Sequence, residues 1–173
     1  MSGWVAYRAR QFFRALTASL ADEELNEAQQ ALTPAQWVLF CRMSPADRRH
    51  GAAVYRALRA RAVHSPDLLA AALLHDVGKA SAAAPLWMRV AVALLERLAP
   101  DWLERLSRGT TRGWRQRLSA YLRHAELGAH QAAQAGCSPR TVALIRRHHE
   151  PVERPTGEEE RQLALLQEVD GSW

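Results

Sequence analysis

Apolar positions recur every three to four residues along most of this chain, and almost no segment shows the two-residue alternation of a β-strand. Ser-Pro and Thr-Pro pairs, together with glycines and prolines, divide the sequence into segments of about helical length. The pattern therefore predicts an all-α fold.

Four helix starts carry a specific signal, in which a capping hydroxyl is followed by proline at the first helical position. They are Thr33-Pro34, Ser44-Pro45, Ser65-Pro66 and Ser138-Pro139. Apolar spacing predicts further helices over 4–30 with a break, 86–98, 101–107, 115–135 with a break near His124, and 158–170. Turn formers mixed with charge predict loops over 107–113 and 151–160.

Length and composition indicate one soluble globular domain, because the 173 residues are 48% hydrophobic and 24% charged. The apolar runs, such as residues 90–95, are all far shorter than the roughly 20 residues that cross a bilayer. The start of the chain does not resemble a signal peptide, so we expect a cytoplasmic protein. Cys41 and Cys137 lack metal-finger spacing, which disfavours structural zinc and a disulfide scaffold, and we expect both to be small buried residues.

The basic charge favours an anionic substrate, since the formal net charge is +5 and the sequence pI is about 10.0. The arginines are spread along the chain rather than clustered, which disfavours a nucleic-acid interface. The first 30 or so residues are amphipathic, with Trp4, Phe12 and Leu16 beside Arg8 and Arg14. This segment could pack on the domain, on a second subunit in a homodimer, or on a membrane surface, and we favour packing on the domain.

Histidines and aspartates repeatedly share helix faces with apolar residues. His50 begins a stripe with Ala53, Val54 and Ala57, which turns its imidazole toward the core. His75 and Asp76 end the apolar segment 68–74, where a buried carboxylate costs several kcal/mol unless it is paired or bound to a metal. Lys79 alone is a weak explanation for that carboxylate.

The second half of the chain repeats this theme. His124 shares a face with Leu127 and Gly128, and the glycine would let another helix or a ligand approach closely. His148 and His149 close the helical segment 141–145. Asp170 lies one turn beyond Leu166 on the apolar stripe of the last helix. Five inward histidines with two inward aspartates predict a metal centre suited to iron, manganese, cobalt, nickel or zinc.

The series His50, His75-Asp76, His124, His148-His149 and Asp170 resembles the HD-domain superfamily of metal-dependent phosphohydrolases. The resemblance covers roughly residues 36–173 and is most specific over 74–79, Leu-His-Asp-Val-Gly-Lys. His124-Ala125-Glu126 and His148-His149-Glu150 look like pieces of the HD-GYP cyclic-dinucleotide phosphodiesterases. The Gly-Tyr-Pro signature is absent, because Pro-Val-Glu-Arg-Pro follows at 151–155.

This resemblance implies an HD helical bundle over 36–173 after an N-terminal helical extension over 1–35. It also implies two divalent transition-metal ions that activate a water against a nucleotide, cyclic nucleotide or dinucleotide, or another phosphoester. One ion would be held by His50, His75, Asp76 and Asp170, and the second by His124, His148 and His149, with Asp76 bridging.

Basic residues near these positions are candidates for contact with the substrate phosphate. Lys79 follows His75 and Asp76 by about one helical turn and is placed to neutralise phosphate charge. Arg146 or Arg147 could do the same if either faces the cleft. His64 and His130 match no motif position, and we interpret both as ordinary helix-surface residues.

Two alternatives share the predicted HD fold. An HD-type diiron oxygenase would activate oxygen instead of water, and a non-catalytic signalling or scaffold module would keep only the fold. The sequence contains no strong Ser/His/Asp triad, phosphate-binding glycine loop or dinucleotide fingerprint. Hydrolysis by a metal-activated water is therefore the chemistry that we favour.

Overall fold

A computed structural model describes residue 20 and residues 22–82, 84–98 and 113–171 of the chain. Every regular element within these ranges is a helix, which confirms the predicted all-α fold. The helices are α1 (Asp22–Ala31), α2 (Pro34–Cys41), α3 (Pro45–Ala60), α4 (Pro66–Leu74), α5 (Gly78–Ala82), α6 (Leu86–Leu98), α7 (Trp114–Leu122), α8 (His124–Gln134), α9 (Pro139–Arg147) and α10 (Glu158–Asp170).

The four predicted hydroxyl-proline starts are confirmed at α2, α3, α4 and α9. At each, the hydroxyl of the N-cap accepts a hydrogen bond from the backbone N–H three residues later. Thr33 adds a capping box, because its own N–H donates to the side chain of Gln36 at 3.0 Å. The predictions over 86–98 and 158–170 match α6 and α10, and the predicted break near His124 falls at Arg123.

The structure also corrects some expectations. Helix α5 was not predicted, because its five residues, four small ones and Lys79, carry no apolar stripe that would indicate a helix. The predicted loop over 151–160 ends at Gly157, since three acidic residues that suit a helix N-terminus form the first turn of α10. Cys41 is exposed, so its predicted burial was wrong, whereas Cys137 is half-buried. The predicted helix over 101–107 and most of the predicted segment 4–30 lie outside the described residues.

The core is built around α4, in which every side chain from residue 68 to 74 is buried. Helices α3 and α9 pack against it most extensively, and α1, α2 and α10 also contact it. Leu20, Ala28 and Leu32 belong to this same core, although the sequence assigns them to an extension. The predicted boundary between residues 35 and 36 falls inside α2.

A second, smaller hydrophobic cluster joins α6 and α7 through Met88, Val92 and Leu118. An ion pair ties this unit to α3, since Arg89 Nη1 lies 2.9 Å from both carboxylate oxygens of the buried Asp47. Within the described ranges, no helix combines the length and apolar character needed to cross a membrane.

Candidate metal centre

Three buried histidines follow the C-terminal ends of helices, and each satisfies a backbone carbonyl of that helix. The Nδ1–H groups of His75, His124 and His148 donate to the carbonyl three residues earlier, at 3.0, 2.7 and 2.7 Å. The last carbonyls of a helix have no partner within it, so these positions favour such a bond. The bond fixes the proton on Nδ1 of each neutral ring and leaves the Nε2 lone pair free to bind a metal.

Glycines at the helix crossings bring these ends together. A Cβ on Gly51 would lie 2.9 Å from the carbonyl oxygen of Leu73, so α3 packs directly on α4 and carries His50 beside His75. Gly78 and Gly128 oppose each other where α5 crosses α8, which confirms the close approach predicted at Gly128. The helices can therefore meet at backbone distance around the site.

His124, His148 and His149 form one group of converging nitrogens. His124 Nε2 lies 3.3 Å from His148 Nε2 and 3.1 Å from His149 Nε2. Two nitrogens bound to one metal at about 2.0–2.1 Å lie about 2.8–3.4 Å apart in octahedral or tetrahedral geometry. The observed separations match that range, and the facing lone pairs of His124 and His148 would repel each other without a cation.

His50, His75 and Asp170 form the other side of the cluster. His50 Nε2 donates to Asp170 Oδ1 at 2.6 Å, and His75 Nε2 lies 3.5 Å from the same oxygen. Although fully buried, His75 Nε2 has no hydrogen-bond partner among the described residues. A buried polar atom without a partner is costly, and a metal ion bound here would satisfy it.

Asp76 lies between the two sides and turns one oxygen to each. Its Oδ1 is 3.5 Å from His124 Nε2, and its Oδ2 is 3.7 Å from His75 Nε2. Lys79 Nζ also donates to Oδ2, at 2.6 Å. The described residues thus contain two groups that could each hold a metal ion, His124/His148/His149 and His50/His75/Asp76, with Asp76 facing both.

The electrostatics of the cluster favour a cation. Burial would raise the pKa of Asp76, but His75 and Lys79 hold it well below its usual value, and His50 and His75 likewise outweigh burial in lowering the pKa of Asp170. Burial would lower the pKa of His75, yet Asp76 and Asp170 raise it, so positive charge is favoured at Nε2.

His148 and His149 are held neutral. Burial, reinforced by His75 and His149, lowers the pKa of His148 to about 3. Partial burial and His124 lower the pKa of His149 to about 4. Near pH 7, His148 and His149 are therefore neutral while Asp76 and Asp170 are ionised, and these are the protonation states that bind metals.

The structure brings together all seven residues predicted as metal ligands, and Lys79 with them. It does not bring in the two arginines: Arg146 pairs with Glu126, and Arg147 pairs with Glu150 and Glu159. His64 and His130 are exposed, as predicted, but only His130 lies on a helix, since His64 falls in the connection between α3 and α4.

One side of the cluster opens to solvent. A cleft of about 310 Å³ is lined by Tyr121, Leu122, His124 and His149. His149 is exposed, whereas only 1% of the surface of His75 and 3% of that of His148 is accessible to solvent. A ligand would therefore reach the cluster from the His149 side.

Several residues that shape the site were not predicted from the sequence. Gly51 follows His50 directly, and its position beside a core-facing histidine was the available signal. Tyr121 lies three residues before His124, a spacing at which the His124 side chain can donate to the carbonyl of Tyr121. Gln167 lies three residues before Asp170, a spacing that places both on one face of α10.

Comparison with known proteins identifies no relative: no family model, no curated protein and no solved structure matches the chain. A functional interpretation therefore depends on the chemistry of the cluster and on the sequence motif that carries it.

Proposed function

We propose that this protein is a metal-dependent phosphohydrolase that cleaves a phosphoester, with nucleotides and cyclic nucleotides as the substrate class. The observation that carries the proposal is the position of Asp76, whose two oxygens face two separate groups of metal-binding side chains. A carboxylate between two such groups is the arrangement that a two-metal hydrolase needs.

The ligand set suits two divalent transition metals, of which iron and manganese fit the mixed imidazole and carboxylate donors, with cobalt, nickel and zinc also compatible. His50, His75, Asp76 and Asp170 would hold one ion. His124, His148 and His149 would hold the other, with Asp76 shared. When bound, the ions supply an activated water and Lewis acidity toward the phosphoryl oxygens.

The chain's own residues would orient the substrate. Lys79 Nζ lies on the Asp76 side of the cluster, where its positive charge can neutralise a phosphoryl oxygen as well as the carboxylate. Tyr121 and Leu122 line the open side beside His149, so the organic group of the ester would lie against them. The helix ends that carry His75 and His148 keep bulk water from the buried side.

The experiment is metal analysis combined with hydrolysis of an aryl phosphodiester and an aryl phosphomonoester in the presence of Mn²⁺ or Fe²⁺. We expect close to two ions per chain and turnover of at least one ester. Asp76→Ala should abolish both properties. Asp22→Ala is the matched control, because Asp22 is exposed in the first turn of α1, and it should change neither.

Other outcomes would separate the alternatives. Oxygen uptake by iron-loaded protein without ester hydrolysis would favour a diiron oxygenase. Protein that contains no metal and hydrolyses no ester would favour a non-catalytic module. Activity retained in Asp76→Ala would contradict the role assigned to this carboxylate.

A further inference from the structure

We infer that Gln167 is a positioning residue for metal binding, because it fixes the turn that presents His148 and His149. This inference rests on the metal binding in the proposed function, and adds a residue that binds no metal itself. Gln167 lies on α10, whereas the two histidines follow α9.

The Gln167 side-chain amide reaches three carbonyl oxygens of one turn. Its Nε2 donates to the carbonyl of Glu150 at 2.6 Å and to that of His148 at 3.1 Å, with the carbonyl of Arg147 at 3.5 Å. The amide has two N–H groups, so the two shorter bonds use its full donor capacity. A single side chain therefore spans the backbone from residue 147 to residue 150.

This turn needs such support because α9 ends at Arg147 and its last carbonyls lack helical partners. His148 caps the helix and His149 is exposed, so core packing holds the second imidazole only weakly. Two adjacent ligands must nevertheless keep their Nε2 atoms within bonding distance of one ion. A fixed backbone between them meets that requirement.

A second contact also holds α10 against the end of α9. Arg147 Nη1 donates to Glu159 on α10 at 2.9 Å, near the opposite end of that helix from Gln167. Asp170 lies one turn after Gln167 and bonds His50 on the other side of the cluster. Helix α10 thus supplies the ligand Asp170 to the His50 side of the cluster. The same helix supports the backbone that carries His148 on the other side, so it connects the two sides.

A residue that only stabilises the fold would act differently from a positioning residue. Its loss would lower the stability of the whole fold and would weaken the binding of both metals or of neither. Loss of a positioning residue should selectively weaken the ion held by His124, His148 and His149. Loss of an outer-shell partner typically weakens metal binding about 10- to 100-fold.

The test uses the full chain, stripped of metal and titrated calorimetrically with Zn²⁺ alone. Gln167→Met keeps the side-chain volume but removes both donors, and Gln167→Glu replaces them with an acceptor. Gln162→Met is the matched control: it removes a buried amide on the same helix that bonds Ser65 and Glu158 away from the cluster. We expect two binding events in the wild type and in the control. In both Gln167 variants we expect one event unchanged and one weakened about 10- to 100-fold.

Single-site backgrounds identify the affected ion. With His50→Ala, which leaves the His124 side, Gln167→Met should weaken the remaining event; with His124→Ala it should have no effect. Two wild-type events in both Gln167 variants would overturn the inference while leaving the proposed function intact. A wild-type chain that binds no Zn²⁺ would overturn the proposed function and this inference with it. The unchanged binding event shows that a variant is folded. Equal weakening of both events would indicate instead that Gln167 only stabilises the fold.

Discussion

Gly78 lies directly against the backbone of His124. A Cβ added at Gly78 would overlap the carbonyl oxygen of His124 and would sit 2.7 Å from the backbone nitrogen of Gly128. The two helices therefore approach as closely as their backbones permit. This contact brings Asp76, two residues before Gly78, within 3.5 Å of His124.

Gly78→Ala should consequently destabilise the protein by about 3 kcal/mol or more, because backbone atoms cannot move aside as a side chain can. It should also reduce bound metal by separating Asp76 from His124. The measurements are urea unfolding and metal content of the purified protein.

Two other glycines give graded controls. Gly128→Ala should cost less, since its Cβ would meet its nearest neighbour at 3.1 Å. Gly157→Ala should cost no more than about 1 kcal/mol, because no described atom lies within 4 Å of the added Cβ and the expected loss is only that alanine is a poorer N-cap for α10. A Gly78→Ala protein as stable as Gly157→Ala would contradict the backbone contact.

The difference between these glycines also shows what the sequence could reveal. The Ser-Pro and Thr-Pro helix starts are local features, so they could be predicted from adjacent residues. Gly128 was predicted to allow a close approach because it shares a helix face with His124. Gly78 was seen only as part of a motif, because its role depends on which backbone lies opposite.

The ligand side chains were predictable for a similar reason. Histidines and aspartates that share a face with apolar residues must find partners in the core, and helical spacing identifies that face. Gln167 could not be found in this way, since a glutamine on a partly buried face has many ordinary roles. Its contacts with Arg147, His148 and Glu150 depend on how α10 packs against α9.

Lys79 should contribute to substrate handling and not to metal retention. A contact with a charged group typically contributes about 1.5–3 kcal/mol, so Lys79→Met should lower kcat/KM about 10- to 100-fold. Metal content should stay at the wild-type value, because the variant leaves every ligand in place. Steady-state kinetics with an aryl phosphodiester measures the change in kcat/KM, and elemental analysis measures the metal content. Loss of metal from this variant would contradict the role that we assign to Lys79.

Metal-free protein should lose stability as the pH falls from about 6.5 to about 4. The folded-state pKa of His148 is about 3 and that of His149 about 4, both below the usual 6.5. The unfolded chain therefore takes up protons first over this range, which favours unfolding. His75 acts in the opposite direction, since its raised pKa lets the folded protein take up that proton first, but this gain is complete once the pH has fallen below the unfolded value of 6.5.

The check is the urea midpoint of chelator-treated protein at about pH 7 and about pH 4.5. His148→Gln should reduce the change between the two values, because it removes one of the two titrating groups. His130→Gln, at an exposed position, should leave the change as in the wild type. A midpoint that rises toward acid pH would show that the assigned direction is wrong.

We propose that the two groups of side chains around Asp76 each hold a metal ion. Anomalous scattering from crystals grown with Mn²⁺ tests it most directly, because the signal locates the ions independently of activity. We predict two peaks about 3.5–4 Å apart, one beside His50, His75 and Asp170 and one beside His124, His148 and His149. Crystals of metal-loaded protein with no peak at this cluster would show that these side chains do not form a metal centre.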